Sequence, residues 1–121
     1  MRKGIGGNMT GITVVEGATN PEIKDGTRYE YCDFEGVALD GIVFDNIVFY
    51  NCTFITCKFI FVCWYKCEWL SCYLHDVDVQ NCTFAKCELE WNLNYSSIID
   101  SIALESELNI TKTQSTIKFI A

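Results

Sequence analysis

Eight cysteines, a single histidine and a scatter of carboxylates are the residues of this sequence that could do chemistry. Thiols offer three possibilities: disulfide bridges, metal or iron–sulfur ligation, or simple use as small apolar fillers. Metal sites usually show C-x₂-C pairs or histidine partners. Here Cys32, Cys52, Cys57, Cys67, Cys72, Cys82 and Cys87 stand at multiples of five from one another, Cys63 alone falls off that grid, and His75 has no second histidine to join it. Nothing assembles a nucleophile with its base: there is no H-E-x-x-H and no G-x-S-x-G. The glycine-rich start Gly4-Ile5-Gly6-Gly7 lacks the Lys-Ser/Thr ending and preceding strand of a phosphate loop. Glu88 and Glu90 lie two apart on a strand-like stretch and could face one cleft, but exposed acidic pairs are seldom catalytic. The expectation is a protein without catalytic residues, cofactor, metal or small-molecule substrate.

The grid itself is the stronger signal. Residues 32–91 divide into fives without a gap: CDFEG VALDG IVFDN IVFYN CTFIT CKFIF VCWYK CEWLS CYLHD VDVQN CTFAK CELEW. The third position reads Phe34, Leu39, Phe44, Phe49, Phe54, Phe59, Trp64, Trp69, Leu74, Val79, Phe84 and Leu89, all large and apolar. The first position holds the seven cysteines on the grid together with Val37, Ile42, Ile47, Val62 and Val77. Filling both columns by chance has a probability on the order of one in ten million. A period of five fits neither a helix nor a straight strand, because every fifth residue would rotate around the one and alternate faces on the other. The chain must turn a corner in every block so that positions one and three always point inward. Fixed-period repeats of this kind stack as solenoids, each coil burying the exposed face of its neighbour.

The blocks resemble the pentapeptide-repeat family, whose usual consensus is A(D/N)LXX; CTFIT, CTFAK and CDFEG match it with Cys for Ala and Phe for Leu. The resemblance covers roughly residues 27–106 and is most specific over the central blocks. It implies an all-β fold, a right-handed parallel quadrilateral β-helix of about four coils, in which residues twenty apart lie above one another. The ladders are then Phe34–Phe54–Leu74, Leu39–Phe59–Val79, Phe44–Trp64–Phe84 and Phe49–Trp69–Leu89, flanked by Cys32–Cys52–Cys72 and Cys67–Cys87. Coils about 4.8 Å apart hold stacked Cβ atoms beyond the ~3.5–4.5 Å that a disulfide prefers. That favours free, buried, structural thiols over disulfides or metal ligands, with Cys63, outward beside Trp64, the one thiol expected to react.

The chain has room for one domain, with 121 residues, half of them hydrophobic, and a net charge of −7. Its longest uninterrupted apolar stretch, Phe59 to Tyr65, is far too short to span a bilayer, so no membrane association is expected. A positive start without a following apolar segment reads as no signal peptide, and hence as synthesis in a reducing cytoplasm. The N-X-S/T triplets at Asn51 and Asn81 are by-products of the repeat. Residues 1–26 read as a glycine-rich arm with a short strand at Ile12–Val15, docked on its own solenoid or on a neighbour. After Trp91 two frames compete: Ser97/Ile99 and Ile102/Leu104, or Ser96/Ile98, Ser101/Ala103 and Ser106/Leu108. Residues 107–121 form a β-prone tail. Without an obvious polar cap, one open end is expected to meet another chain.

The outward positions carry Asp33, Glu35, Asp40, Asp45, Asp76, Asp78, Glu88 and Glu90, and between them the apolar Val43, Val48, Tyr50, Ile55, Ile60, Phe61, Tyr65, Leu70 and Tyr73. This apolar set reads as a candidate interface. The expected function is structural: a subunit docking on a larger protein assembly or forming a homo-oligomer, with a phage virion component (capsid decoration or tail-associated) as its concrete version. Such a protein would reside in the virion if phage-encoded. The second reading comes from the resemblance, since some pentapeptide-repeat proteins look like duplex DNA in width and charge and inhibit or protect type II topoisomerases such as gyrase. Between Arg28 and Glu105 stand 12 acidic and 4 basic residues, which leans that way. A surface of that charge makes nucleic acid an unlikely partner.

Overall fold

The computed structural model describes residues 13–120, all strand, bridge and turn, with no helix among them. After a leading strand β1 (Thr13–Glu16), the first full coil runs β2 (Thr27–Glu30), β3 (Asp33–Glu35), β4 (Ala38–Asp40) and β5 (Val43–Asp45). The second runs β6 (Val48–Tyr50), β7 (Thr53–Ile55), β8 (Lys58–Ile60) and β9 (Cys63–Tyr65). In the third, β10 (Glu68–His75) turns a corner and is followed by β11 (Asp78–Gln80) and β12 (Thr83–Ala85). Then come β13 (Glu88–Asn94), β14 (Ser97–Leu104), β15 (Glu107–Thr113) and β16 (Thr116–Phe119). All pairings are parallel, and the solenoid makes about five turns. The sheets order β2-β6-β10-β13-β15 on one face and β5-β9-β12-β14 on another, so four faces enclose one interior.

The corner has a local cause. The fifth residue of almost every block adopts the left-handed conformation: Tyr31, Gly36, Gly41, Asn46, Asn51, Thr56, Phe61, Lys66, Ser71, Asp76, Asn81 and Lys86 all have φ between 52° and 68°. One such residue after each three-residue strand redirects the chain, and its N–H still bonds the coil above, as from Thr56 to the His75 carbonyl at 2.9 Å. Asparagine and glycine tolerate this region, but for a β-branched side chain it is a true outlier. Replacing the exposed Thr56 (φ 54°) by asparagine is therefore expected to stabilise the protein by about 0.5–1 kcal/mol, a rise of a few degrees in Tm by thermal unfolding. An unchanged or lowered Tm would mean that the corner costs nothing.

The interior is a stack of rings. Phe34 lies on Phe54 at 4.7 Å and 8°, Phe44 on Trp64 at 4.8 Å, and Tyr29 on Phe49 on Trp69 at 5.3 and 5.1 Å. Adjacent ladders meet edge to face, as for Trp64 and Trp69 at 4.5 Å and 72°. Of the predicted core, Phe34, Phe44, Phe49, Phe54, Phe59, Trp64, Trp69, Leu74, Val79, Phe84, Leu89 and the seven grid cysteines are buried. Leu39 is the exception and is only half-buried. It belongs to the first coil, and among the described residues β4 pairs only with β8 above it, so its lower side has no neighbour.

The other half of that end is covered by the chain itself. β1 pairs β2, Thr19 bridges Asp33, and Val15, Ala18 and Ile23 pack against the core. The Tyr29 hydroxyl donates to the Glu22 carbonyl at 2.6 Å and accepts from the Lys24 N–H at 2.8 Å, pinning the connecting segment across the interior. The described part of the arm thus docks on its own solenoid; the rest of the arm, with Ile12, lies outside the described residues.

The frame shifts by one residue at Trp91. Glu68 pairs Glu88, but Cys72 pairs Trp91 and Leu74 pairs Leu93. Trp91, assigned by the unbroken fives to an outward fifth position, is instead 2% exposed and sits in the cysteine column. Ser96, Ile98 and Ser101 are buried accordingly, which selects the second of the two frames. Residues 107–119 continue the same ladders, with β15 on β13 and β16 on β14, so the solenoid runs through them and exceeds the expected four coils.

Candidate functional site

The thiols have a positional role. The Sγ of Cys52, Cys57, Cys72, Cys82 and Cys87 each lies 3.2–3.4 Å from the carbonyl 23 residues earlier, inside the previous coil, and donates to it. In the last coils serine takes over: the Ser96 and Ser106 hydroxyls donate to Leu74 and Phe84 at 3.3 and 3.1 Å. All eight cysteines are free; seven are buried and Cys63 is half-exposed. Burial pushes the Cys52 thiol up to about 12 and raises Cys57, Cys72 and Cys82 in the same direction. A buried thiol held neutral is a filler and a donor; it is no nucleophile. Among the described residues no group of three or more His, Cys, Asp or Glu is placed to hold a metal ion. His75 is exposed and packs edge-on to Tyr95 at 5.6 Å.

The coil registers turn the outward carboxylates into columns: Glu68, Glu88 and Glu107 stand in successive coils on one face, with Glu90 beside them. Slight desolvation of this exposed side chain, and then the charges of Glu68, Glu107 and Glu90, raise Glu88 above the ordinary carboxylate value. On the flanking face Lys66 and Lys86 lie over the Tyr65 ring at 5.2 and 6.0 Å. Asp33 and Glu35 lie in β3, Asp40 in β4, Asp45 in β5 and Asp78 in β11, spreading negative charge to the other faces as well.

The apolar outer set does not gather into one band. Val43 and Tyr65 are on the β5-β9 face, Val48, Tyr50 and Leu70 on the β2-β6-β10 face, Ile55 and Tyr73 on the β3-β7-β10 face, and Ile60 on the β4-β8 face. Phe61 occupies a corner. Only Val43, Phe61 and Tyr73 are exposed; the other six are half-buried along the coil-to-coil ridges. Linear proximity over thirty residues misleads here because a solenoid distributes consecutive blocks around its perimeter. In the last coils Leu104, Leu108 and Ile120 are 44–64% exposed. Alternation in the tail was the available signal for that end.

No family model matches this sequence, and no curated protein matches it. Solved structures do. A trypsin-treated form of QnrB1, a plasmid-mediated fluoroquinolone resistance protein, superposes with a TM-score of 0.65 at 14% identity, over 86% of this chain and 57% of that one. This chain shares the β-solenoid fold of QnrB1. A second trypsin-treated form of QnrB1 gives a TM-score of 0.57 at 12% identity, over 88% of this chain and 68% of the other. The chain thus spans little more than half the length of the first QnrB1 structure. The fold implied by the repeat is the observed one, and the likeness is consistent with the pentapeptide-repeat resemblance.

Proposed function

We propose that this chain is a non-enzymatic pentapeptide-repeat protein of the cytoplasm that binds a type II topoisomerase, with gyrase as the first candidate, through its acidic outer columns. The observation that carries this reading is a solenoid shared with a fluoroquinolone resistance protein and bearing stacked carboxylates at coil spacing, Glu68, Glu88 and Glu107 foremost. Carboxylates repeated about every 4.8 Å along a narrow rod present fixed negative charge to a channel built for the phosphates of a duplex. The partner is a protein, and its recognition is electrostatic and salt-sensitive.

A supercoiling assay tests this directly. Titrated protein is expected to inhibit gyrase at stoichiometric ratios, or to relieve its inhibition by a fluoroquinolone, and the pair Glu68→Lys with Glu88→Lys is expected to weaken either effect by roughly tenfold or more. Absence of both effects at large excess overturns the proposal.

A second reading, a subunit of a larger protein assembly, rests on a separate observation: in the last coils Leu104, Leu108 and Ile120 are exposed, and among the described residues no strand pairs β15 on its outer edge. Light scattering distinguishes the two, since an assembly subunit self-associates or co-elutes with its partner at high salt. The virion version of this reading draws no support from the comparisons.

A further inference from the structure

The shift of frame at Trp91 has a consequence on the outside. At the corner between the β2-β6 and β3-β7 faces, Tyr31, Asn51 and Ser71 supply the left-handed residue in three successive coils, with φ of 53–56°. The next coil has no counterpart: Glu90 is followed at once by Trp91, and β13 runs straight through, as β15 does above it. Two coils therefore cut the corner that those below them turn. The step leaves a groove of about 480 Å³, floored by Cys52, Cys72 and Trp91.

Among the outward side chains that line it, Asn51, Tyr73, Glu90, Asn92, Asn109 and Thr111 give the groove its chemistry. Tyr73 is 56% exposed, so a large part of its side chain is open to a ligand. Three amides each offer a donor and an acceptor side by side. The Glu90 Oε1 accepts from the Ser71 N–H at 3.3 Å, which fixes the carboxylate and leaves its second oxygen to accept from a ligand. Among the described residues Glu90 is also the only charged residue of the lining. No cation among the described residues stands there to bind phosphate or carboxylate, and the polar walls do not suit an apolar peptide.

We propose that this groove binds a neutral saccharide of one or two rings. Vicinal hydroxyls, each both donor and acceptor, match amide groups and a fixed carboxylate; an exposed tyrosine ring matches the C–H face of a pyranose. The volume falls within the range of small-molecule sites, about 300–1,000 Å³. The site rests on a different observation from the topoisomerase reading, the corner step, and although Glu90 borders the carboxylate column its test turns on Tyr73, which lies outside that column.

The test is a titration of the ¹⁵N-labelled full chain with glucose, N-acetylglucosamine, maltose, cellobiose and chitobiose, each to about 10 mM, which reaches dissociation constants in the millimolar range. The expected result is that at least one of these sugars moves the side-chain amide signals of Asn51, Asn92 and Asn109. For that sugar Tyr73→Ala should weaken binding by about tenfold, equivalent to 1.4 kcal/mol, whereas Tyr95→Ala, at a different exposed corner tyrosine, should leave it unchanged. No movement with any of the five, movement confined to residues elsewhere, or equal binding by the Tyr73→Ala variant would each overturn the assignment.

Discussion

Trp64→Ala is expected to lower the unfolding free energy by about 3–5 kcal/mol, the usual cost of deleting a fully buried tryptophan. Trp64 is 0% exposed, stacks on Phe44 at 4.8 Å, and meets Trp69 at 4.5 Å and Phe59 at 5.6 Å, so its loss empties the middle of the second coil where three ladders converge. Solenoid stability is roughly a sum of nearest-neighbour contacts, and a hole in a central coil weakens its contacts with the coils on both sides. Against a typical total of about 5–15 kcal/mol, the variant should retain a marginal fold at best. Trp64→Phe should be far milder. It keeps a ring in the ladder and removes an indole Nε1–H that, like those of Trp69 and Trp91, is buried without a conventional acceptor. Urea unfolding followed by intrinsic fluorescence measures both. A loss below about 1 kcal/mol for Trp64→Ala would contradict the stacked-ring core.

Alkali is expected to unfold this protein through its thiols. Burial raises Cys52 from 9.0 to about 12 and raises Cys57, Cys72 and Cys82 in the same direction, while burial likewise raises Tyr29. These groups are neutral and donating in the folded chain, and ionise more readily in the unfolded one. Their contribution to stability is fully present below the unfolded value near 9.0 and is lost as pH climbs through about 12. Under reducing conditions the urea midpoint should accordingly hold level around neutrality and fall steadily above pH 9, and Cys52→Ala should flatten part of that fall. The same thiols should resist a thiol reagent in the native state, leaving Cys63, the half-exposed one, to react alone. A midpoint that stays level or rises through the alkaline range would show that the cysteine column is not dry.

Much of this architecture is legible without coordinates, because the solenoid is nearly one-dimensional. The inward direction of Phe54 or Cys72 depends on its place within a block of five, and the block is written in the chain. With the four blocks per coil that the family resemblance implies, register follows from counting, and the burial of every grid cysteine follows from its place in the block. Tyr29 extends the same rule one block earlier and is buried where the frame puts it.

What escaped that rule are the places where the count breaks or the perimeter matters. The missing residue at Glu90–Trp91 could be read as two frames, and only packing chose between them: Trp91 reaches Trp69 and Phe84 at 5.5 Å only from inside. Leu39 follows the pattern yet is only half-buried, since burial at an end needs a neighbouring coil that the pattern cannot supply. The outer apolar residues were read along the chain, whereas a solenoid sends neighbouring blocks to different faces and brings Glu68, Glu88 and Glu107 together from residues far apart in sequence. By itself, then, the sequence determined which side chains face inward, because that is a property of one repeating unit. The tertiary structure decided what the surface presents, because a column, a step or an open end exists only where separate coils meet.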